Sequence, residues 1–221
     1  MSECLLCKQG MKESLRFVDI LLFKKMEAQV CLSCRAAFVP KTEEACPSCS
    51  KSGSSEVCQD CRYWEKLGLS VDHKSLYDYT DEMAAYFNQY KFQGDYLLRK
   101  VFAKELKLYL SAYSDYTLVP IPLGPKRLAE RGFNQVEGIL EAAGLTYQPL
   151  LGKMDTQRQS EKSRKERLEA EQFFYLLEEK PLPEKIILID DIYTTGASIQ
   201  LAKRILMKNG KKRIKSFSIA R

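Results

Sequence analysis

Beyond a connector at 62–73, short apolar runs alternate with longer stretches in which apolar residues recur at helical spacing. Ser75–Tyr79 reads as a short strand. Thr80 then suits an N-cap, with Asp81 and Glu82 in the first turn of a helix running to about Tyr90. Lys91–Gly94 breaks the pattern, and Asp95 to about Tyr113 predicts a longer amphipathic helix. Tyr116–Ile121 is the next strand, closed by Pro120 and Pro122. Gln135 to about Ala143 is helical, with Gly144 as its stop. Residues 146–151 form a candidate short strand, and Glu161–Glu171 is polar and basic, either a mobile loop or a solvated helix. Lys185–Asp190 is the most apolar strand, Ser198–Asn209 a helix stopped by Gly210, and Ile214–Ala220 a last strand. This alternation predicts an α/β fold with a mostly parallel sheet flanked by helices.

The apolar strand ends in chemistry. Asp190 and Asp191 lie at its carboxyl end, where open α/β sheets bind ligands. Two adjacent carboxylates there suit ribose hydroxyls or a hydrated Mg²⁺. Thr194, Thr195, Gly196, Ala197 and Ser198 follow, a turn whose N–H groups and hydroxyls can surround a phosphate at a helix N-terminus. Gly196 allows the close backbone approach such a turn needs. Upstream, Pro120 and Pro122 stiffen a loop carrying Lys126, Arg127 and Arg131. Guanidinium forks match phosphate oxygens, so this arm reads as a second anion contact.

All eight cysteines fall in the first 61 residues, as four Cys-x-x-Cys pairs. A two-residue gap turns both thiolates of a knuckle toward one tetrahedral Zn²⁺, so eight ligands imply two structural zinc ions. The simplest pairing is sequential: Cys4, Cys7, Cys31 and Cys34 on one ion, Cys46, Cys49, Cys58 and Cys61 on the other. A cross-braced pairing fits the spacing as well. Disulfides are the competing account, disfavoured in a reducing cytosol. Residues 1–64 are thus expected to form a double zinc ribbon dependent on metal for folding, and 65–221 the larger domain. Trp64 is expected to pack the two together, and His73, the sole histidine, to lie at the surface.

Charge and composition narrow the setting. The formal net charge is +6 over 221 residues. Its cations concentrate in Lys153–Arg167, including Arg164, Lys165 and Arg167, and again in Lys203–Lys215. Such runs either solvate a helix face or meet an anionic partner. No apolar stretch approaches the roughly 20 residues that span a bilayer, and Met-Ser-Glu-Cys does not open like a signal peptide. A cytoplasmic protein without membrane insertion is expected.

The segment Ile187–Ser198 resembles the 5-phosphoribosyl-1-pyrophosphate (PRPP) signature of type I phosphoribosyltransferases. That resemblance implies Asp190 and Asp191 on the ribose hydroxyls, 194–198 on the 5′-phosphate, and Lys126 and Arg131 on pyrophosphate, with Mg²⁺ accompanying the ligand. Ala197 departs from members with a second glycine. The cysteine knuckles, Tyr90-Lys-Phe-Gln-Gly94, Val119-Pro-Ile-Pro122, Arg131-Gly-Phe-Asn-Gln135, Gln159 with Arg164–Leu168, and the Asp-Asp-x-x-Thr-Thr-Gly turn together resemble the ComF family of bacterial competence proteins. The likeness covers essentially the whole chain. It implies a factor that handles incoming single-stranded DNA beside a ComFA-like ATP-dependent translocase. Arg127, Arg131, Arg164, Lys165 and Arg167 would then grip the DNA backbone, with Phe133, Tyr147 or Tyr193 available for base stacking. The alternative is an active phosphoribosyltransferase with an unidentified acceptor.

Overall fold

The computed structural model describes residues 2–11, 30–53, 55–155, 173–177, 181–210 and 213–221. The polar stretch Glu161–Glu171, with Gln159, lies outside them. Two short strands, β1 (Ser2–Glu3) and β2 (Gly10–Met11), pair antiparallel around the first knuckle. Two short helices, α1 (Leu32–Ala36) and α2 (Gln59–Lys66), begin just after the first cysteine of the second and fourth Cys-x-x-Cys pairs and contain the second. Then come β3 (His73–Tyr77), α3 (Asp81–Phe92), α4 (Ala103–Leu110) and β4 (Thr117–Pro120). Next are α5 (Pro125–Arg131), α6 (Gln135–Ala142), β5 (Leu151–Lys153) and β6 (Phe174–Leu176). The last elements are β7 (Lys185–Ile192), α7 (Ala197–Lys208) and β8 (Arg213–Ala220).

The α/β expectation holds. Strands β3, β8, β7 and β4, in that order, form one sheet in which every pairing is parallel. Alternate residues of β7 divide its two faces. Ile187 and Ile189 pack with Tyr86, Tyr90, Leu106 and Ile139 from α3, α4 and α6. Ile186 and Leu188 pack with Ile199, Ala202 and Leu206 of α7. The second face also takes in Cys46, Cys49, Cys61 and Trp64, so the cysteine knuckle shares a core with the sheet.

The departures have local causes. Thr80 caps α3 as expected, accepting from the Met83 N–H at 3.4 Å. The long helix expected over Asp95–Tyr113 is instead broken into a 3₁₀ turn at Tyr96–Lys100, α4, and a second 3₁₀ turn at Ser111–Tyr113. The break lies at Phe102, whose fully buried ring meets Phe38, Tyr77 and Tyr86 at 4.9–5.1 Å. The strand expected at 146–151 forms at Leu151–Lys153 and pairs antiparallel with β6. The stiff loop expected after Pro122 contains a two-turn helix, α5. Pro125 starts it, and Gly132 (φ +80°) closes it in the left-handed region. No residue of α5 is buried, so no apolar stripe announced it.

Candidate sugar-phosphate site and cysteine centres

The rim of β7 brings the paired acids and the threonine turn together. The Asp191 N–H donates to Asp190 Oδ1 at 2.9 Å, and the Ile192 N–H to Asp191 Oδ1 at 2.7 Å. Tyr193 to Gly196 then turns the chain into α7, with Gly196 in the left-handed region at φ +82°. A Cβ on Gly196 would stand 2.1 Å from the Tyr193 hydroxyl oxygen, because that ring folds back under the turn. Thr194 is exposed, whereas Thr195, Gly196 and Ala197 are buried. The backbone N–H groups of Thr194 to Ser198 meet no acceptor among the described residues. Nor does the buried Thr195 Oγ1.

Two cations reach the acids from other elements. Lys91, near the end of α3, places Nζ 2.5 Å from Asp191 Oδ2, with both side chains nearly buried. Burial works against Asp191 ionising, but the Lys91 ammonium, supported by the Ile192 N–H and Arg131, holds its carboxyl below the usual range. Asp190 goes the other way: burial first, then the Asp191 charge, pushes it up to about 7. One carboxylate therefore carries the charge and the other readily holds a proton. Arg131, the last residue of α5, donates to Gln135 Oε1 and lies 5.6 Å from the centre of the Phe92 ring. Burial lowers its pKa, partly offset by Asp191.

The other candidate cations are placed differently. The Lys126 N–H donates to the Asp155 carboxylate at 3.0 and 3.2 Å, so that acid seats on the start of α5. The Lys126 side chain is exposed and Arg127 half-buried. Arg164, Lys165 and Arg167 lie outside the described residues. In the second basic run, Lys203 is turned inward and donates to Ser70 O at 2.7 Å, while Lys215 pairs with Asp72 at 2.8 Å. Both are therefore engaged within the chain.

Sequence reasoning missed three residues here. Lys91 and Phe92 stood inside a quoted family motif without a role. Lys153, expected only as part of a basic run, is buried with its ammonium 4.8 Å from the Phe173 ring centre, where it lowers the Asp190 pKa slightly. Phe92 is 71% exposed beside Arg131. A lone lysine and an exposed phenylalanine two residues before a glycine break gave no signal of their partners.

Among the aromatic residues expected to stack on bases, Tyr193 is corrected. It is buried and stacks on His73 at 3.9 Å, leaving no face for a base. Phe133 packs against Tyr90 and Tyr96, and Tyr147 donates to Glu141 at 3.2 Å. His73 is also corrected: it is fully buried in β3, not at the surface. Its two ring nitrogens meet Ser216 and Ser218 of β8 at 3.1 and 3.0 Å, so both polar edges are satisfied. Burial pushes its pKa well down, which keeps the imidazole neutral.

The cysteines form two groups in sequential order, Cys4/Cys7/Cys31/Cys34 and Cys46/Cys49/Cys58/Cys61, each with its sulfurs within 4.8 Å of one another. Cross-bracing is thereby excluded. Tetrahedral Zn–S bonds of about 2.3 Å give S···S edges near 3.8 Å. The Cys7–Cys31, Cys46–Cys61, Cys49–Cys58 and Cys58–Cys61 separations are 3.8, 3.9, 3.5 and 3.6 Å. Each group can hold a metal ion, and the geometry is compatible with structural zinc. Four thiolates leave no open coordination position for catalysis. Trp64, buried at the second group, donates to Thr195 O at 2.7 Å and so joins the knuckle to the sheet domain as expected. No helix among the described residues is long and apolar enough to cross a membrane.

No family model matches the chain. A solved hypoxanthine phosphoribosyltransferase from Staphylococcus aureus is similar over 53% of this chain and 60% of its own. Its TM-score is 0.33 at 13% identity, too slight to carry an argument. Full-length comparison is decisive. Competence protein ComFC of Bacillus subtilis (strain 168) is 35% identical, covering 99% of this chain and 94% of that protein. Competence protein ComFC of Streptococcus pneumoniae (strain ATCC BAA-255 / R6) is 47% identical over 219 residues, 99% of this chain and 100% of that protein. With both cysteine centres and the acidic rim inside the aligned span, this chain belongs to the ComFC family of competence proteins.

Proposed function

We propose that the protein is a DNA-uptake factor of natural transformation that handles incoming single-stranded DNA in the cytosol and binds PRPP or a nucleotide at the β7 rim. The observation carrying the ligand reading is the juxtaposition of Asp190 and Asp191 with a turn whose N–H groups, at the start of α7, meet no acceptor among the described residues. Carboxyl oxygens suit the ligand's vicinal hydroxyls, and the N–H groups with Thr195 Oγ1 suit its phosphate. Arg131 supplies a further anion contact at the same end of the sheet. The residues do not fit a resident Mg²⁺, because Lys91 already holds Asp191 Oδ2 at 2.5 Å.

The DNA reading draws on the competence relatives, the net charge of +6, and the exposed pairing of Phe92 with Arg131. A base stacks on the free ring while Lys126, Arg127 and Arg131 follow the backbone, joined by Arg164, Lys165 and Arg167. A ComFA-like translocase delivers the strand. Calorimetry with PRPP, with and without Mg²⁺, tests the ligand: binding lost in Asp190→Ala/Asp191→Ala supports it, and no heat with the wild type removes it. Anisotropy of an oligo(dT) strand across several salt concentrations tests the DNA. Charge reversal of Lys165 and Arg167 flattens the salt slope if both contact phosphates.

A second reading, transfer of phosphoribose to an acceptor, is favoured by the split carboxyl pair, with Asp190 near 7 and Asp191 held ionised. Pyrophosphate release from PRPP, measured against a panel of acceptors, distinguishes turnover from binding.

A further inference from the structure

Two side chains reach from the second cysteine centre to the backbone of the threonine turn. Trp64 follows Cys61 by three residues on α2, and its indole N–H donates to Thr195 O at 2.7 Å. Arg221, just after β8, donates from Nη1 to Thr194 O at 2.6 Å and to Tyr193 O at 3.4 Å. Its Nη2 faces Asp60 Oδ2 and Cys58 Sγ, each at 3.8 Å. The carbonyls of three successive residues, 193 to 195, are thus held by groups seated beside Cys58 and Cys61.

A trans peptide carries its C=O and N–H on opposite edges of one plane. Pinning these carbonyls toward the knuckle turns the N–H groups of Thr194, Thr195 and Gly196 away from it, which are the donors without acceptors described above. The charge balance agrees. The Arg221 side chain is only 4% exposed, and a buried guanidinium needs anions around it. Four thiolates on one divalent zinc leave a net negative centre, and buried Asp60 adds to it.

We infer that the Cys46/Cys49/Cys58/Cys61 centre, with its metal, sets the peptide orientation of the 193–196 turn through Trp64 and Arg221. Both are positioning residues. The centre is thereby a determinant of anion binding at the turn as well as a fold staple, a consequence that rests on the phosphate reading given above. Loss of metal frees α2, releases the three carbonyls and lets the N–H groups rotate.

The test uses the full chain as wild type, Trp64→Phe, Arg221→Lys and Cys49→Ser, with zinc content and hydrogen exchange measured together. The reporters are the Tyr193 N–H, bonded to Ala220 O, and the Gln200 N–H, bonded to Gly196 O. Leu106 N–H, bonded to Phe102 O across the sheet, is the control. Trp64→Phe and Arg221→Lys should keep the zinc content of the wild type, yet exchange about three- to ten-fold faster at Tyr193 and Gln200, the worth of one hydrogen bond. Cys49→Ser should lose one zinc and show at least the same acceleration. Unchanged exchange at the two reporters, or an equal rise at Leu106, overturns the coupling. Should Cys49→Ser not fold, the other two variants decide. Titration with PRPP reports separately: a wild type that binds none sinks the phosphate reading, while the coupling still stands or falls on exchange.

Discussion

Asp190 should make the protein less stable as the pH rises toward neutrality, and Asp190→Asn should abolish that loss. Burial and the Asp191 charge raise its carboxyl from an ordinary value of 3.8 to about 7. Between those values the native chain holds a proton that the unfolded chain has released, so native stability falls with increasing pH. The slope is about 1.4 kcal/mol per pH unit. From about pH 5.5 to pH 7 this amounts to roughly 2 kcal/mol, and the loss levels off above the folded pKa. Asparagine keeps a carbonyl to accept the Asp191 N–H, now at 2.9 Å, but has no proton to lose. The Asn variant should therefore gain about 2 kcal/mol over the wild type across that interval and hold the gain at pH 8.5. Asp191 does not mask the effect. Its pKa is held below the ordinary value, so its stabilisation is present above that value and fades only in more acidic solution. Urea unfolding at pH 5.5, 6.5, 7.5 and 8.5, with zinc content checked at each, supplies the difference. A wild-type-minus-variant stability that stays flat over this range refutes the paired-carboxyl reasoning.

Gly196→Ala puts a Cβ 2.1 Å from the Tyr193 hydroxyl at a φ of +82°, and should destabilise by about 1–3 kcal/mol in thermal or urea melts. Unaltered stability would mean the turn is not held as described. Lys91→Met leaves Asp191 buried without its ammonium, and should cost about 3–5 kcal/mol at neutral pH, shrinking in acid as Asp191 protonates. Equal melts at pH 7.5 would sink the ion pair. Phe92→Ala removes a ring that is 71% exposed, so stability should change by no more than about 0.5 kcal/mol. Its oligo(dT) affinity should nevertheless fall by about 1–3 kcal/mol in anisotropy titrations, and full affinity would exclude this ring from base stacking.

The sheet was legible because its signal is local. Ile186–Ile189 is apolar on consecutive positions, as a strand covered on both faces must be, and Thr80, Gly144 and Gly210 punctuate their helices with side-chain and φ preferences that need no distant partner. Cysteine spacing carried as far as four knuckles. Which knuckles share a centre is a matter of chain path, and only the proximity of Cys31 to Cys4 and of Cys58 to Cys46 decides it. The α5 helix escaped notice because it buries nothing: its start and stop residues were visible, but periodicity had no stripe to detect. His73 was misplaced for the opposite reason, since two serines 143 and 145 residues away satisfy it.

The candidate site shows the same division, with a consequence for its chemistry. Sequence motifs placed two acids and a turn on one strand end, and left both acids looking alike. Lys91, a full hundred positions upstream, makes them unlike by pairing with Asp191 alone. A carboxylate whose charge is already met favours hydroxyl ligands over a bare cation. Its neighbour, raised to about 7, can donate or accept a proton there. The lysine's position in the fold thus weighs against a metal cage at this rim, and it does so from a helix end whose sequence did not show which acid it would meet. On the proposed ligand reading, the buried ion pair at 2.5 Å, more than the acidic motif itself, favours a polyol over a bare cation at this rim.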